Sequence, residues 1–201
     1  MLHTHYQSEL AEAGIDEAGR GCYAGPVFAA AVILPPGFFH PLLNDSKKLT
    51  PENRNTLRVV IEKEALAWKV AQSSEEEIDE INILQATYRA MHRALDGLHL
   101  RPGYLIVDGN RFKPYNKTPH TCIIKGDGLY ASIAAASILA KTWRDEYMCG
   151  LHEQFPHYGW KENKGYGTLH HRRAIETHGL CRHHRKSFAI HPQAMELFGN
   201  T

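Results

Sequence analysis

The chain holds 201 residues, 43% of them hydrophobic and 22% charged, with a formal net charge of +1 at pH 7. That apolar fraction excludes a disordered chain, and no run approaches the roughly 18 apolar residues of a membrane span. The near-neutral total does not exclude a nucleic-acid partner, because it averages a gradient: residues 1–160 carry 16 Lys and Arg against 19 Asp and Glu, whereas residues 161–187 carry seven against two.

The elements follow in chain order. Ala11 to Ile15 is an apolar strand leading to Asp16-Glu17 and the glycine-studded turn GRGCYAGP. Val27 to Leu34 is apolar without alternation, as expected of a strand covered on both faces, and Pro35-Pro36 stop it. Thr50-Pro51 joins an N-cap hydroxyl to a proline at the first helical position and predicts a helix to about Glu64. Leu66 to Gln72 alternates, with Leu66, Trp68 and Val70 on the side expected to be buried. Ser74 and Glu77 form a capping box, followed by Ile78, Ile81, Leu84, Tyr88, Met91 and Leu95 on one helical face up to Gly97. Tyr104–Val107 and Thr121–Ile124 read as short strands. ASIAAASILAK is a helix of small residues able to approach other backbones closely, with Pro156 beyond its end, and Thr168–His178 is a last helix before Gly179. This order predicts an α/β sandwich with a mixed sheet, a single domain over 1–201 with a basic helical segment from about residue 156.

The opening MLHTHYQSELAEAG lacks a basic segment followed by an apolar one, so no secretory signal is expected. Cys22, Cys122, Cys149 and Cys181 form no C-x-x-C pair, and a cytoplasmic, reducing location is the expectation.

The chemistry gathers at strand ends. Asp16-Glu17 follow the first strand, Asp108 a later one, and Asp127 lies beyond the next; open α/β sheets place their sites in that crevice. Several carboxylates sharing a small volume raise one another's pKa unless a cation joins them. Oxygen-only ligands favour Mg²⁺ or Mn²⁺, and two such ions can activate water and stabilise a leaving oxygen. Each acid alone also reads as a turn residue, Asp127 above all, because Gly126-Asp127-Gly128 is a helix-capping sequence. Adjacent Asp16-Glu17 between Ile15 and a glycine turn are harder to explain as a turn, since burying two acids is costly unless something binds them.

AGIDEAGRG followed by AGPV resembles the opening of the type 2 ribonuclease H family. NDSKKLT (44–50), IDEINILQAT (78–87), VDGNR (107–111), KGD (125–127), SIAAASILAKTWRDEYM (132–148), NKGYGT (163–168) and HHRKSF (183–188) continue the match in order, from about residue 11 to about 190. The resemblance implies a ribonuclease H-like α/β fold, a mixed central β-sheet flanked by helices with a C-terminal helical segment. It implies an endonuclease that hydrolyses RNA in RNA–DNA hybrids and cuts 5′ of single ribonucleotides in duplex DNA, leaving 3′-hydroxyl and 5′-phosphate ends, with Mn²⁺ or Mg²⁺.

On that resemblance Asp16, Glu17 and Asp108 are metal ligands and Asp127 is the fourth catalytic acid. Gly19-Arg20-Gly21 reads the ribose 2′-hydroxyl, the group that separates RNA from DNA, and glycine lets backbone approach a sugar. Tyr166 stacks on the neighbouring deoxyribose. Ser46 and Lys47 from the DSK motif, the Ser137–Lys141 pair four apart on one helix face, Lys164, Arg185 and Lys186 are expected to hold backbone phosphates. Cys22-Tyr23 depart from the proline and aliphatic residue of many relatives, while the flanking turn residues are intact. No obligate protein partner is implied, and a monomer is the default.

Other readings remain open on the residues alone. A nuclease of the same architecture acting on another nucleic acid would share the acids but need no 2′-hydroxyl reader. A non-catalytic binding module would leave Asp16, Glu17 and Asp108 unexplained. The 14 histidines raise a histidine metal site, but H-E-x-x-H is absent and His170-His171 point to different sides of a helix.

Overall fold

A computed structural model describes residues 2–7, 9–44, 46 and 49–189. Five strands, β1 (Glu12–Ala18), β2 (Val27–Ile33), β3 (Ala67–Ser73), β4 (Tyr104–Asp108) and β5 (His120–Ile123), form one sheet in the order β3-β2-β1-β4-β5. β1–β2 and β2–β3 pair antiparallel, β1–β4 and β4–β5 parallel. The helices are α1 (Pro51–Glu64), α2 (Glu75–Asp96), α3 (Ala131–Gln154), the single turn α4 (Trp160–Asn163) and α5 (Leu169–His178). No helix among the described residues is long and apolar enough to cross a membrane.

Two apolar layers sandwich the sheet. Ile15, Ala29, Ala31, Leu105 and Val107 pack with Ile78, Met91 and Leu95 of α2; Ala30 and Val32 face Leu57 and Ile61 of α1 and the alanines of α3. β2 is buried along its whole length, as its unbroken apolar run predicts. A third cluster joins Ala24 and Met148 to Tyr158, Trp160, Ala174 and Ile175, and so fastens the C-terminal helices to the turn after β1.

The small residues of α3 serve the close approach expected of them. A Cβ on Gly14 of β1 would lie 2.2 Å from the backbone carbon of Ser132, so the helix start rests directly on the strand. Thr50 caps α1, and Ser74 with Glu77 forms the full capping box of α2.

Three expectations are corrected. β1 extends past Ile15, so Asp16 and Glu17 lie inside the strand opposite Ala30 and Ala29, not after it. β3 is covered on both faces: Trp68 and Val70 meet the α1–α3 layer while Ala67 and Ala71 meet α2, and Leu66, expected to be buried, precedes the strand and is 46% exposed. α2 is interrupted at Asn82 (φ 67°), whose side-chain oxygen accepts from the amides of Leu84 and Gln85 and caps the second half. An asparagine inside a helical pattern was the available signal, since its side chain competes for backbone partners.

Candidate active site

Parallel pairing of β1 with β4 brings the ends of both strands together. Asp16 on β1 is buried, and Asp108 is the last residue of β4. Burial, then the charges of Glu17 and of Asp108, push the Asp16 carboxyl well above the usual carboxylate range, while a hydrogen bond from Ser137 pulls the other way. Glu17 meets Arg20 at 3.1 Å. The Gly126 amide donates to Asp108 Oδ1 at 2.7 Å, and buried Asp127 follows in the 3-10 turn Gly126–Gly128 before α3. Asp127 thus sits not on a strand but in a turn that packs against the end of β4. Among the described residues no three His, Cys, Asp or Glu side chains converge as a preassembled metal cage. The donor chemistry nonetheless fits a hard cation: Asp16, Glu17 and Asp108 offer only carboxylate oxygens, and their mutual repulsion is what a divalent ion relieves.

The GRG turn is built on a buried arginine. Arg185 is fully buried; its Nε donates to Gly25 O (2.9 Å), Nη1 to Arg20 O (2.8 Å) and Nη2 to Gly19 O (2.7 Å). This corrects its assignment as a phosphate ligand, because all three guanidinium nitrogens hold the inner side of the turn. Arg144 on α3, to which the sequence reading gave no role, does the same alongside, donating to Pro26 O, Lys164 O and Ala24 O. It ties the GRG turn to the loop carrying Tyr166. Gly19 has φ +94°, and a Cβ there would strike the Arg144 side chain at 1.9 Å; a Cβ on Gly21 would meet open space. The inner glycine is therefore structural and the outer one faces a free approach.

Tyr166 is 44% exposed on the loop between α4 and α5. Burial of part of the ring, and the Cys22 thiol beside it, push the phenol up from its ordinary pKa. Lys141 Nζ lies 6.0 Å from the Tyr166 ring centre and pairs with Asp145 at 2.7 Å. Tyr23 lies beneath this loop, where a Cβ on Gly167 would come within 2.4 Å of its ring, and Arg172 stands over it at 5.8 Å. The turn tolerates the Cys22-Tyr23 departure.

The remaining predicted phosphate contacts divide. Ser46 and Ser137 are buried and share a hydrogen bond of 2.9 Å; Ser137 also bonds Asp16, with Ser46 behind it, and the two do not form an open gripping face. Lys47 lies outside the described residues. Lys164 is half-buried, with its ammonium on the Lys161 carbonyl. Lys186 is exposed, and its amide donates to Asp79. Among the histidines, His171 and His184 are fully buried.

A family model described as Ribonuclease HII matches residues 13–191. The Ribonuclease HII of Bacteroides thetaiotaomicron is 62% identical over 190 residues, covering 94% of this chain and 95% of that protein. Among solved structures, the RNase HII in the PCNA:RNase HII complex from Archaeoglobus fulgidus is similar with a TM-score of 0.74 and 28% identity, over 89% of this chain and 95% of that one. Bst-RNase HIII in complex with Mn²⁺ shares the fold, with a TM-score of 0.72 at 21% identity over 96% of this chain and 71% of that one.

Proposed function

Since the chain belongs to the ribonuclease HII family, hydrolases that cut RNA within RNA–DNA hybrids, we propose that it also cuts duplex DNA on the 5′ side of a single embedded ribonucleotide. The observation that carries the reading is the crowding of Asp16 by Glu17 and Asp108 beside a backbone turn anchored for close approach to a sugar. A further acid, Asp127, stands next to the Gly126 amide that holds Asp108.

In the reaction, a water oxygen bonds to phosphorus and the bond from phosphorus to the upstream 3′ oxygen breaks. The products are a 3′-hydroxyl on the DNA and a 5′-phosphate on the ribonucleotide. Asp16, Glu17 and Asp108 would hold Mn²⁺ or Mg²⁺. Two such ions, when bound, supply charge stabilisation on the phosphate and lower the pKa of water. Gly19-Arg20-Gly21 presents backbone to the 2′-hydroxyl, with Arg185 fixing the carbonyls of Gly19 and Arg20 inward. Tyr166 offers its exposed ring to the adjoining deoxyribose, and the exposed Lys186, Lys141 near the ring and Lys164 on the same loop contribute positive charge for the backbone. We read the protein as a cytoplasmic monomer whose partner is the nucleic acid itself.

The test compares three duplexes, one with a single ribonucleotide, one a uniform RNA–DNA hybrid and one all DNA, with Mg²⁺, with Mn²⁺ and with EDTA. Cleavage is expected on the first two, in metal only. Asp108→Asn is expected to bind hybrid normally and to lose at least about a hundredfold in turnover, the scale of losing one electrostatic stabiliser. Equal cutting of the all-DNA duplex would overturn the substrate assignment, and undiminished Asp108→Asn activity would remove Asp108 from the chemistry.

A further inference from the structure

Behind the exposed ring of Tyr166 lies a buried polar network whose donors and acceptors are assignable. His171, in the first turn of α5, places Nδ1 2.9 Å from the Tyr166 carbonyl, which also accepts from the Thr168 amide. A carbonyl only accepts, so Nδ1 carries the proton and, in a neutral ring, Nε2 is an acceptor. That acceptor receives the Trp160 indole N–H at 3.0 Å. The second ring nitrogen facing it, His184 Nε2 at 3.1 Å, carries the proton because His184 Nδ1 accepts the Cys181 amide at 3.0 Å, so the indole and His184 share the single lone pair of His171 Nε2 in a three-centre bond. Every polar atom of the two rings has a partner, and Trp160, His171 and His184 are fully buried. Burial holds both histidines below their ordinary pKa, consistent with neutral rings.

We propose that His171 is a positioning residue for Tyr166, fixing the backbone from which the substrate-facing ring projects, with Trp160 and His184 locking its tautomer. This rests on the reading that Tyr166 meets the sugar beside a ribonucleotide. The loop ends are held already: Tyr166 N–H donates to Asn163 O, and Gly165 O accepts from the amides of Tyr23 and Ala24. His171 adds the one side-chain tie to the tyrosine's own peptide among the described bonds.

Two substitutions separate positioning from mere structure. Asn at 171 places an amide N–H near the Nδ1 position, keeping the bond to Tyr166 while stranding the Trp160 and His184 donors. Gln reaches the Nε2 position, keeping an acceptor there while losing the bond to Tyr166. The readout is the ratio of kcat/KM for the single-ribonucleotide duplex to that for the uniform hybrid, measured well below each variant's melting temperature. His171→Gln is expected to lower the ratio about tenfold, and His171→Asn to lose more thermal stability yet keep the ratio. A ratio that tracks melting temperature in both variants, or is unmoved in His171→Gln, overturns the proposal. Tyr166→Ala runs beside them: an unchanged ratio there removes the junction contact and this inference with it, whereas a fall there without one in His171→Gln removes this inference alone. On the unsubstituted protein, ¹⁵N NMR of labelled histidine is expected to show His171 as the Nδ1–H tautomer and His184 as Nε2–H. The reverse assignment also overturns the proposal, whether or not the variants fold.

Discussion

At the scale of single residues, Arg185 illustrates how a cation in a basic segment serves the fold and not the ligand. Its three bonds hold the carbonyls of Gly19, Arg20 and Gly25 from inside the fold, and of these Gly19 O also accepts from the Cys22 amide. Arg185→Met is therefore expected to cost on the order of 3 kcal/mol or more, a fall of roughly 6–12 °C in Tm for a chain of this size. Thermal unfolding measures it. The salt dependence of hybrid binding by the folded fraction should keep its slope, since a lost phosphate ligand would reduce that slope by about one. Asp16 is the contrasting residue: its burial beside Glu17 and Asp108 is unfavourable for the protein alone, and holding a cation in the proposed reaction would relieve it.

At the scale of elements, the site depends on how closely α3 lies on β1. Ser137 reaches Asp16 because the helix start rests on Gly14 with no side chain between them. Gly14→Ala forces a methyl into the Ser132 backbone, and overpacking of this kind costs about 1–3 kcal/mol or more. A lower Tm with reduced turnover is expected; an unchanged melting curve would show that the contact is looser than described. The strands and helices were largely legible because their signals are local: Thr50-Pro51, the Ser74–Glu77 box and the apolar run of β2 each carry their own cause. The Asn82 interruption and the second covered face of β3 were not, because each depends on what packs against the element.

At the scale of the molecule, acid stability reflects the buried histidines. Burial first, then the neighbouring His171, and more weakly His183 and His157, push His184 down to about 4 from an ordinary 6.5, outweighing an opposing contribution from the Cys181 backbone. The unfolded chain therefore binds the proton that the folded ring refuses, so this contribution to stability falls as pH drops from about 6.5 to 4 and levels off below. Urea midpoints of the protein and of His184→Gln should accordingly converge as pH falls from 7.5 to 4.5. A constant gap between the two would count against the neutral pair. The charge gradient is sharpened as well: Arg185 leaves the surface count of the basic segment, and Arg172 donates to Gly167 O beside Tyr23.

By itself the sequence determined the order of elements, the acids carried by the first strand and by the end of β4 and, through its ordered motifs, the family. Those features are carried by residues adjacent in the chain or repeated at a strand or helix period. Only the tertiary structure decided which cations are buried and which are exposed, that Ser137 bonds Asp16 with Ser46 behind it, and that His171 and His184 meet behind Tyr166. The physical reason is that a side chain's partner is set by burial and direction across long separations. Arg185 meets Gly19 from 166 residues away, and nothing local distinguishes it from its exposed neighbour Lys186.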